Sequence, residues 1–384
     1  MPIQVWDYLA EYRRDRAAIL DAVDRVFQSG KLILGPHVQR FEEGFAAYCG
    51  VSYGIGVDNG TNALTIALKA LGVGPGSEVV TVPNTAVPTV SAIVNAGGTP
   101  RFVDIERASY LMDPGRLEAA LTERTACIVP VHLFGQCVDM APVVRIAKAR
   151  GIPVLEDCSQ SHGATWQGRR CGSLSEIAAF SLYPTKTLGA YGDGGIIVTG
   201  DDGLNARVRR LRFYGMEGFG TGAPGVREAK LKYAAIEDGY NARLDEVQAA
   251  ILLIKLARLD EDIARRQMIA ARYDRALAGT SLTLPAVRPG NTHVYYLYVA
   301  RHPERDRLLT EMARHNVLLN VSYPHPVHLM PAYAHLGYRE GDFPEAERAA
   351  REIFSLPMYP TLGEADQDTV CRALGEVLGE PVAL

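Results

Sequence analysis

Short runs of apolar and β-branched residues alternate with longer stretches of helical periodicity between residues 51 and 200. Turn residues such as Gly72–Gly76 and Asn95–Gly98 separate a helical stretch from the run that follows it. Strands that alternate with helices in this way form crossover units and a largely parallel sheet. Seven strands are predicted: Tyr53–Val57, Glu78–Val82, Pro100–Val103, Thr125–Val131, Ile152–Glu156, Ile177–Leu182 and Gly195–Thr199.

A long helix and a second domain are predicted further along the chain. Apolar residues recur at helical spacing from Leu244 to Leu277 without Pro or Gly, which predicts one helix of about 50 Å if it is unbroken. After Gly279, short strand-like and helical segments alternate again. We therefore expect an N-terminal arm over residues 1–12, a large domain over 13–250, and a small α+β domain over 251–384, with the long helix linking the two domains.

Charge and hydropathy exclude several classes of protein. The 384 residues include 40 Lys and Arg against 44 Asp and Glu, so the net charge of −4 gives no reason to expect nucleic acid or a membrane surface as a partner. The most apolar stretch, Ala249–Leu256, contains Lys255 and is far shorter than the ~20 residues of a membrane span. No secretory signal is recognisable at the start, so we expect a cytoplasmic protein. The six cysteines are scattered without a C-x-x-C pair, which favours buried free thiols and no metal site.

A single lysine is the strongest candidate for chemistry. Lys186 lies between the apolar run that ends at Leu182 and a glycine-rich turn over residues 189–195. The carboxyl end of a buried strand is where α/β folds place ligand sites. Desolvation there favours the neutral amine, which can form a Schiff base with a carbonyl compound. From this segment alone, a structural lysine is an equally good interpretation.

A carboxylate is predicted at the same edge of the sheet. Asp157 follows the apolar run Ile152–Glu156, so it lies at a strand end as Lys186 does. A carboxylate shielded from water needs a cationic partner, and a protonated pyridine nitrogen is a suitable one. A helix cap or a pairing with arginine is the commoner role of such an aspartate.

A glycine-threonine turn begins a helix after the first strand. Gly60 and Thr61 precede an amphipathic helix, and the free N–H groups of a helix start, with the Thr61 hydroxyl, suit a phosphate. The segment is neither a Walker loop nor a G-x-G-x-x-G fingerprint. A simple helix cap is therefore the alternative interpretation.

Together these segments offer what pyridoxal phosphate (PLP) requires: an amine for its aldehyde, a carboxylate for its ring nitrogen and a cradle for its phosphate. With the phosphate turn first, then the aspartate, then the lysine, the sequence resembles the fold-type-I, PLP-dependent sugar aminotransferases of the DegT/DnrJ/EryC1/StrS family. That fold implies a mostly parallel seven-stranded sheet in the large domain and a smaller α+β C-terminal domain. The resemblance covers nearly the whole chain, in Gly35-Pro36, Gly60–Leu64, His132–Gln136, Glu156-Asp157, the Lys186 segment, Gly239–Glu246, Phe343–Glu347 and Leu356–Met358.

The resemblance implies a role for each residue at the reacting end of the cofactor. Lys186 would form the Schiff base with PLP and later move protons between the cofactor and the sugar carbon. Asp157 would hold the pyridinium proton, and Gln160 would lie against the ring oxygen.

The resemblance also implies how the phosphate and the ring are held. Gly60, Thr61 and Ser181 would bind the phosphate, and Asn241 would reach it from the neighbouring subunit, so that a homodimer shares two sites. A helix N-cap is an alternative or additional role for Asn241. Ala86 occupies the position where an aromatic side chain commonly stacks on the cofactor, and this departure predicts either another covering side chain or a lower cofactor affinity.

The substrates are expected from the same resemblance. The donor would be an amino acid, with L-glutamate the expected one, and the acceptor a nucleotide-linked keto sugar. Tyr183 before the lysine is typical of members that aminate C3 of a dTDP-3-keto-6-deoxyhexose, whereas members that aminate C4 more often have His there. Arg243, Tyr323, His325 and His328 are the other candidates for substrate binding, although Arg243 has acidic neighbours and a Pro-rich loop also exposes histidines without a role.

Other functions stay open at this stage. C4 keto-sugar and cyclitol aminotransferases share the cofactor motifs. A PLP-dependent sugar dehydratase is disfavoured because dehydrating relatives have His in place of Lys186. A non-catalytic regulator is disfavoured because both Lys186 and Asp157 are present.

Overall fold

Seven strands between residues 53 and 199 join into one sheet in the computed structural model, which describes residues 2–216 and 234–383. All seven predicted strands are present, with ends shifted by at most three residues. A short hairpin, formed by β6 and β7, lies outside this sheet. In chain order the strands are β1 (Tyr53–Val57), β2 (Glu78–Thr81), β3 (Thr99–Phe102), β4 (Thr125–Ile128), β5 (Leu155–Asp157), β6 (Thr165–Trp166), β7 (Arg169–Arg170), β8 (Ile177–Ser181) and β9 (Gly195–Thr199).

The strand order is β3-β2-β4-β5-β8-β9-β1, and the sheet is mostly parallel, as predicted. Parallel bridges from Ile128 to Val154 and from Val131 to Asp157 connect β4 to β5. Only β9 runs antiparallel, to both β8 and β1. Because β9 is antiparallel to both of its neighbours, β1 and β8 run in the same direction and end at the same edge of the sheet.

Helices cover both faces of the sheet. Along β8, Ala178 and Phe180 pack into one apolar core, while Ile177 and Ala179 pack into the core on the other face. This alternation is the pleat of a strand that is buried on both sides, and it explains the continuous apolar run in the sequence. The helices of this part of the chain are α1 (Tyr8–Ser29), α2 (Pro36–Cys49), α3 (Gly60–Ala70), α4 (Val87–Asn95), α5 (Pro114–Ala120), α6 (Met140–Arg150) and α7 (Asp202–Leu211).

The linking helix predicted over Leu244–Leu277 is in fact two helices, so the prediction of one unbroken helix is wrong. The first, α8, spans Glu246–Leu256, and the second, α9, spans Leu259–Ala276. Arg258 separates them, with φ −128° and ψ 16°, and its guanidinium pairs with the buried Asp15 of α1. The apolar periodicity of the sequence continues through the break. It could not predict the break, because periodicity carries no information about an ion pair formed with a distant helix.

The C-terminal part of the chain has its own core. Strands β10 (Tyr298–Arg301) and β11 (Ile353–Leu356) pair antiparallel, and Tyr298 and Phe354 pack with Tyr273 of α9. The N-terminal segment also packs here, through a bridge between Ile3 and Val317, and residues 8–12 of the predicted arm already belong to α1. The remaining helices are α10 (Arg305–Arg314), α11 (Pro344–Glu352) and α12 (Glu364–Leu378).

The six cysteines are all buried, and none of them forms a disulfide, as the sequence predicts. Over the described ranges, no helix combines the length and the apolar character that crossing a bilayer requires.

Candidate active site

A cleft of about 250 Å³ opens where the carboxyl ends of β1, β2, β4, β5 and β8 meet. Side chains from different strands converge there because parallel strands all end at one edge of the sheet. Eight residues singled out from the sequence line this cleft: Gly60, Thr61, Ala86, Asp157, Gln160, Ser181, Tyr183 and Lys186.

One corner of the cleft is the start of α3. Asn59 caps this helix, since its Oδ1 accepts the Asn62 N–H at 2.8 Å. The N–H groups of the first helical turn have no partner within the helix, and both Gly60 and Thr61 line the cleft. A Cβ on Gly60 would lie 2.5 Å from Cβ of Ser181, so only glycine allows the helix start to approach β8 this closely. The corner suits an anion.

Asp157 is held by hydroxyl and backbone donors. Its Oδ2 accepts a hydrogen bond of 2.8 Å from Thr89, and its Oδ1 accepts the Ser159 N–H at 3.1 Å. The residue is 2% exposed, and no basic side chain in the described part of the chain forms an ion pair with it. A buried carboxylate without a cationic partner fits a cationic group bound in the cleft.

Lys186 lies on a tight turn after β8. The turn is closed by hydrogen bonds from Lys186 N to Tyr183 O at 2.9 Å and from Ala190 N to Leu182 O at 2.8 Å. A Cβ on Gly189 would lie 2.5 Å from the carbonyl oxygen of Pro184, which explains the glycine of this motif. The amine therefore projects from a turn with little freedom.

Gln160 connects the cleft to the C-terminal domain. Its Oε1 accepts the Phe134 N–H at 2.9 Å, and its Nε2 donates to the hydroxyl of Tyr323. Burial raises the pKa of Tyr323 well above its usual range, so its hydroxyl stays protonated. Tyr323 thus lies next to a residue that lines the cleft, and its role in substrate binding stays a prediction.

Asn241 and Arg243 lie outside this cleft. They line an adjacent depression that shares Asp193 with it. Asn241 is exposed, and the guanidinium of Arg243 lies over the ring of Phe213 at 5.2 Å. Neither residue contacts the cleft of its own chain.

The two histidines of the Pro-rich loop differ. His325 is exposed. His328, predicted to bind substrate, is instead buried, and its Nε2 lies 3.2 Å from Oε1 of Glu347. It packs against Phe102 and Phe343, so its position makes it part of the core rather than of the substrate pocket.

A buried cluster lies behind Asp157. Ligand atoms of His132, Glu156 and Cys158 lie within 4.8 Å of one another. The His132 Nδ1 accepts the Val138 N–H at 3.1 Å, so its Nε2 carries the proton that faces Glu156 at 3.0 Å. Glu156 also accepts the N–H groups of residues 172, 174 and 175. Because these acceptors are already occupied, the cluster anchors the end of β5 rather than offering open metal ligands.

Three residues at the site were not recognised in the sequence. Thr85 and Thr89 follow β2, and their hydroxyls lie 2.9 Å apart behind Asp157. Their place just after the predicted strand Glu78–Val82, at the edge of the sheet where ligand sites are expected, was the available signal. Tyr296, whose ring lies 4.8 Å from the Lys186 Nζ, gave no local signal because its segment is distant in sequence.

The fold and the cleft define a fold-type-I aminotransferase, and the chain belongs to the DegT/DnrJ/EryC1/StrS aminotransferase family, whose sequence model matches residues 13–375. The chain is 52% identical over 98% of its length, and 99% of the relative's, to a dTDP-3-amino-3,4,6-trideoxy-alpha-D-glucose transaminase from Micromonospora megalomicea subsp. nigra. It is 42% identical, over 98% of each chain, to a pleiotropic regulatory protein from Geobacillus stearothermophilus.

A solved structure supports the same assignment. The crystal structure of S. venezuelae DesV in complex with ketimine intermediate matches with a TM-score of 0.92 and 40% identity, covering 98% of this chain and 97% of that one. Two further solved neighbours, 30% and 25% identical to this chain, hold PMP and PLP respectively. The enzyme is a PLP-dependent sugar aminotransferase, and the anion corner, the unpaired Asp157 and the cleft-facing Lys186 fit that cofactor.

Proposed function

We propose that this enzyme transfers an amino group from L-glutamate to C3 of a dTDP-linked 3-keto-6-deoxyhexose. The observation that carries the proposal is the 52% identity, over almost the whole of both chains, to a dTDP-3-amino-3,4,6-trideoxy-alpha-D-glucose transaminase. Tyr183 lines the cleft and is 51% exposed, so a substrate can contact it, and a tyrosine before the lysine is typical of members that aminate C3.

The residues of the cleft divide the work of the reaction. When bound, PLP supplies the aldehyde that accepts the amino group and a ring that withdraws electrons from the reacting carbon. Lys186 would hold the cofactor covalently and then, once released, move a proton to and from the reacting carbon as a general base and acid. Asp157 would keep a proton on the ring nitrogen, and its own charge is fixed in place by Thr89 and Ser159.

Binding of the cofactor would use the remaining residues. Gly60, Thr61 and Ser181 would accept the phosphate at the start of α3, where the helix dipole favours an anion. Gln160 would contact the ring oxygen. Ala86, the N-cap of α4, would contact the ring without stacking on it.

The sugar nucleotide would enter over the rim of the cleft. Tyr183, which lines the cleft, and Tyr323, which contacts Gln160, would border the reacting end. Arg243 lies in the neighbouring depression, where its guanidinium could pair with a diphosphate. His325, exposed on the Pro-rich loop, remains a candidate for the same end of the substrate.

The active unit would be a homodimer. Asn241 is exposed and does not line the cleft of its own chain, which is the placement expected of a side chain that serves a second subunit. In such a dimer, Asn241 would reach the phosphate bound by its partner.

The visible absorption spectrum of the purified protein tests the proposal. Wild-type protein supplied with PLP should show the band of the lysine-bound cofactor, and excess L-glutamate should remove it. A dTDP-3-keto-6-deoxyhexose should then restore the band and yield an amino sugar detectable by mass spectrometry. Lys186→Ala protein is the control, in which no such band should form. If glutamate removes the band but only 4-keto sugars or cyclitol ketones restore it, the assignment to C3 is wrong.

A further inference from the structure

Tyr296 joins the C-terminal domain to the turn that carries Lys186. The Lys186 Nζ lies over the Tyr296 ring, 4.8 Å from its centroid. The Tyr296 hydroxyl lies 3.1 Å from Oγ1 of Thr185, the residue before the lysine. One side chain, 6% exposed, thus contacts two adjacent residues of the turn.

The backbone around Tyr296 is held in an unusual conformation. Tyr295 has a positive φ of 48°, a region that non-glycine residues seldom adopt. Its N–H donates to His293 Nδ1 at 2.9 Å, and its ring stacks on that histidine at 4.1 Å. The buried Arg266 donates to the carbonyl oxygens of Tyr295 and Met358 at 3.1 and 3.0 Å. Strain of this kind persists where surrounding contacts fix it, and it is common beside active sites.

The large domain fixes the same segment from the other side. Val294 donates to the carbonyl of Gly135 at 2.8 Å. A Cβ on Gly135 would lie 2.9 Å from the nitrogen of Tyr295 and 3.0 Å from that of Tyr296, so the glycine permits this close crossing. Tyr296 is therefore held between two rigid supports, and its ring has little room to leave Lys186.

We propose that Tyr296 is a positioning residue for Lys186, a role that rests on the proposed aminotransferase function. The negative face of the ring attracts the amine in its protonated form, and the buried ring beside Nζ also limits the directions open to the side chain when it is joined to the cofactor. The bond to Thr185 fixes the turn from which the amine projects. Proton transfer depends steeply on such placement, because a displacement of about 1 Å can cost a hundredfold in rate.

Four variants distinguish the contribution of the Tyr296 ring from that of the Tyr296 hydroxyl. Tyr296→Leu removes both, Tyr296→Phe removes only the hydroxyl, and Thr185→Val removes the partner of that hydroxyl. Tyr295→Phe is the matched control, since it deletes a hydroxyl from the neighbouring tyrosine, which stacks on His293 instead. Each protein is studied as the PLP-loaded enzyme, by steady-state kinetics with L-glutamate and by visible circular dichroism per bound cofactor, which reports how firmly the lysine-linked cofactor is oriented.

We expect Tyr296→Leu to lower kcat by about tenfold to a hundredfold, to change KM by less than about threefold, and to lose most of the visible circular dichroism. Tyr296→Phe should keep the dichroism and lower kcat by about threefold, the effect of one lost hydrogen bond. Thr185→Val should match Tyr296→Phe, and the double variant should be no slower than either, since both remove the same bond. Tyr295→Phe should resemble the wild type.

Wild-type kcat and dichroism in Tyr296→Leu would overturn the inference. If Tyr296→Leu does not fold, the comparison of Tyr296→Phe, Thr185→Val and their double variant tests the inference. A loss of kcat in the double variant equal to the product of the two single losses would refute the proposed link between Tyr296 and Thr185. Failure of the proposed function looks different: the wild-type protein itself would then form no visible band with PLP or would not respond to any amino donor.

Discussion

The hydroxyl of Thr89 donates a 2.8 Å hydrogen bond to Oδ2 of Asp157. Because that proton is committed to Asp157, the Thr85 hydroxyl must be the donor in its 2.9 Å contact with Thr89. Both threonines are 2% exposed. The two hydroxyls therefore form a directed chain that ends on the carboxylate and orients it towards the cleft.

Thr89→Val should weaken PLP binding. The change removes a hydrogen bond to a charged group without removing much volume. Such bonds contribute about 1.5–3 kcal/mol, so we expect the dissociation constant of PLP to rise about tenfold or more. Titration of the apoprotein with PLP, followed by visible absorption, measures it. Thr85→Val should have the smaller effect because it removes only the second link. Equal affinities in Thr89→Val and the wild type would show that the chain does not support Asp157.

Asp157→Asn should separate folding from chemistry. The amide fits the same space. Its oxygen can still accept the Ser159 N–H, while its NH2 group would face the Thr89 hydroxyl, which can turn to accept and donate to Thr85 instead, so the thermal midpoint of the apoprotein should change little. An amide cannot hold a proton on the pyridine ring by charge, so most of the transaminase activity should be lost. Activity close to that of the wild type would remove Asp157 from its proposed role.

The parts of the site that the sequence predicted are those encoded by neighbouring residues. Asp157 ends a strand, Gly60 and Lys186 each follow one, and the ends of parallel strands must meet at one edge. Thr89 could not be assigned to Asp157 because 68 residues separate them, and Tyr296 is 110 residues from Lys186. Which segments cross there depends on packing, which a local pattern does not record.

A similar long-range contact explains why the start of α2 lacks a local cap. Gly35 precedes the helix and offers no side chain, but the buried Glu246 accepts the N–H groups of His37 at 2.9 Å and Val38 at 2.8 Å. A Cβ on Gly35 would lie 2.9 Å from the Glu246 carboxyl carbon. The first residue of α8 therefore caps another helix, and the Gly35-Pro36 motif leaves room for it.

Glu246→Ala should lower the free energy of unfolding by about 2–3 kcal/mol, because it leaves the buried N–H of Val38 and the half-buried N–H of His37 without an acceptor. Glu246→Gln should cost less, since the amide oxygen can still accept one of these bonds. Urea titrations followed by circular dichroism measure both. Gln39→Ala, at an exposed position of the same helix, is the control and should stay within about 0.5 kcal/mol of the wild type.

His162 should make the protein sensitive to acid. It is buried against Phe45 and Phe180, and burial lowers its pKa to about 3. The unfolded chain takes up a proton near its ordinary pKa of about 6.5 whereas the folded one does not, so the stability present above pH 6.5 is lost progressively as the pH falls towards 3. Within that pH range, His162 lowers the free energy of unfolding by up to about 1.4 kcal/mol for each unit by which the pH falls. His162→Phe should flatten the dependence between pH 6 and 4, measured by urea titration at each pH, and the exposed His335→Gln should leave it unchanged.

Mixing two inactive subunits tests whether Asn241 acts across a dimer. Lys186→Ala lacks the amine, and Asn241→Ala lacks the proposed phosphate ligand. If Asn241 serves the partner's cleft, a hybrid of the two contains one complete site, with Lys186 from one chain and Asn241 from the other, and one site without either. Co-expression with two affinity tags and sequential purification isolates the hybrid, which should reach about half the wild-type kcat per dimer, with each parent far below that value. A hybrid no more active than its parents would place Asn241 in its own chain's site or in none, because neither site of the hybrid would then have both groups.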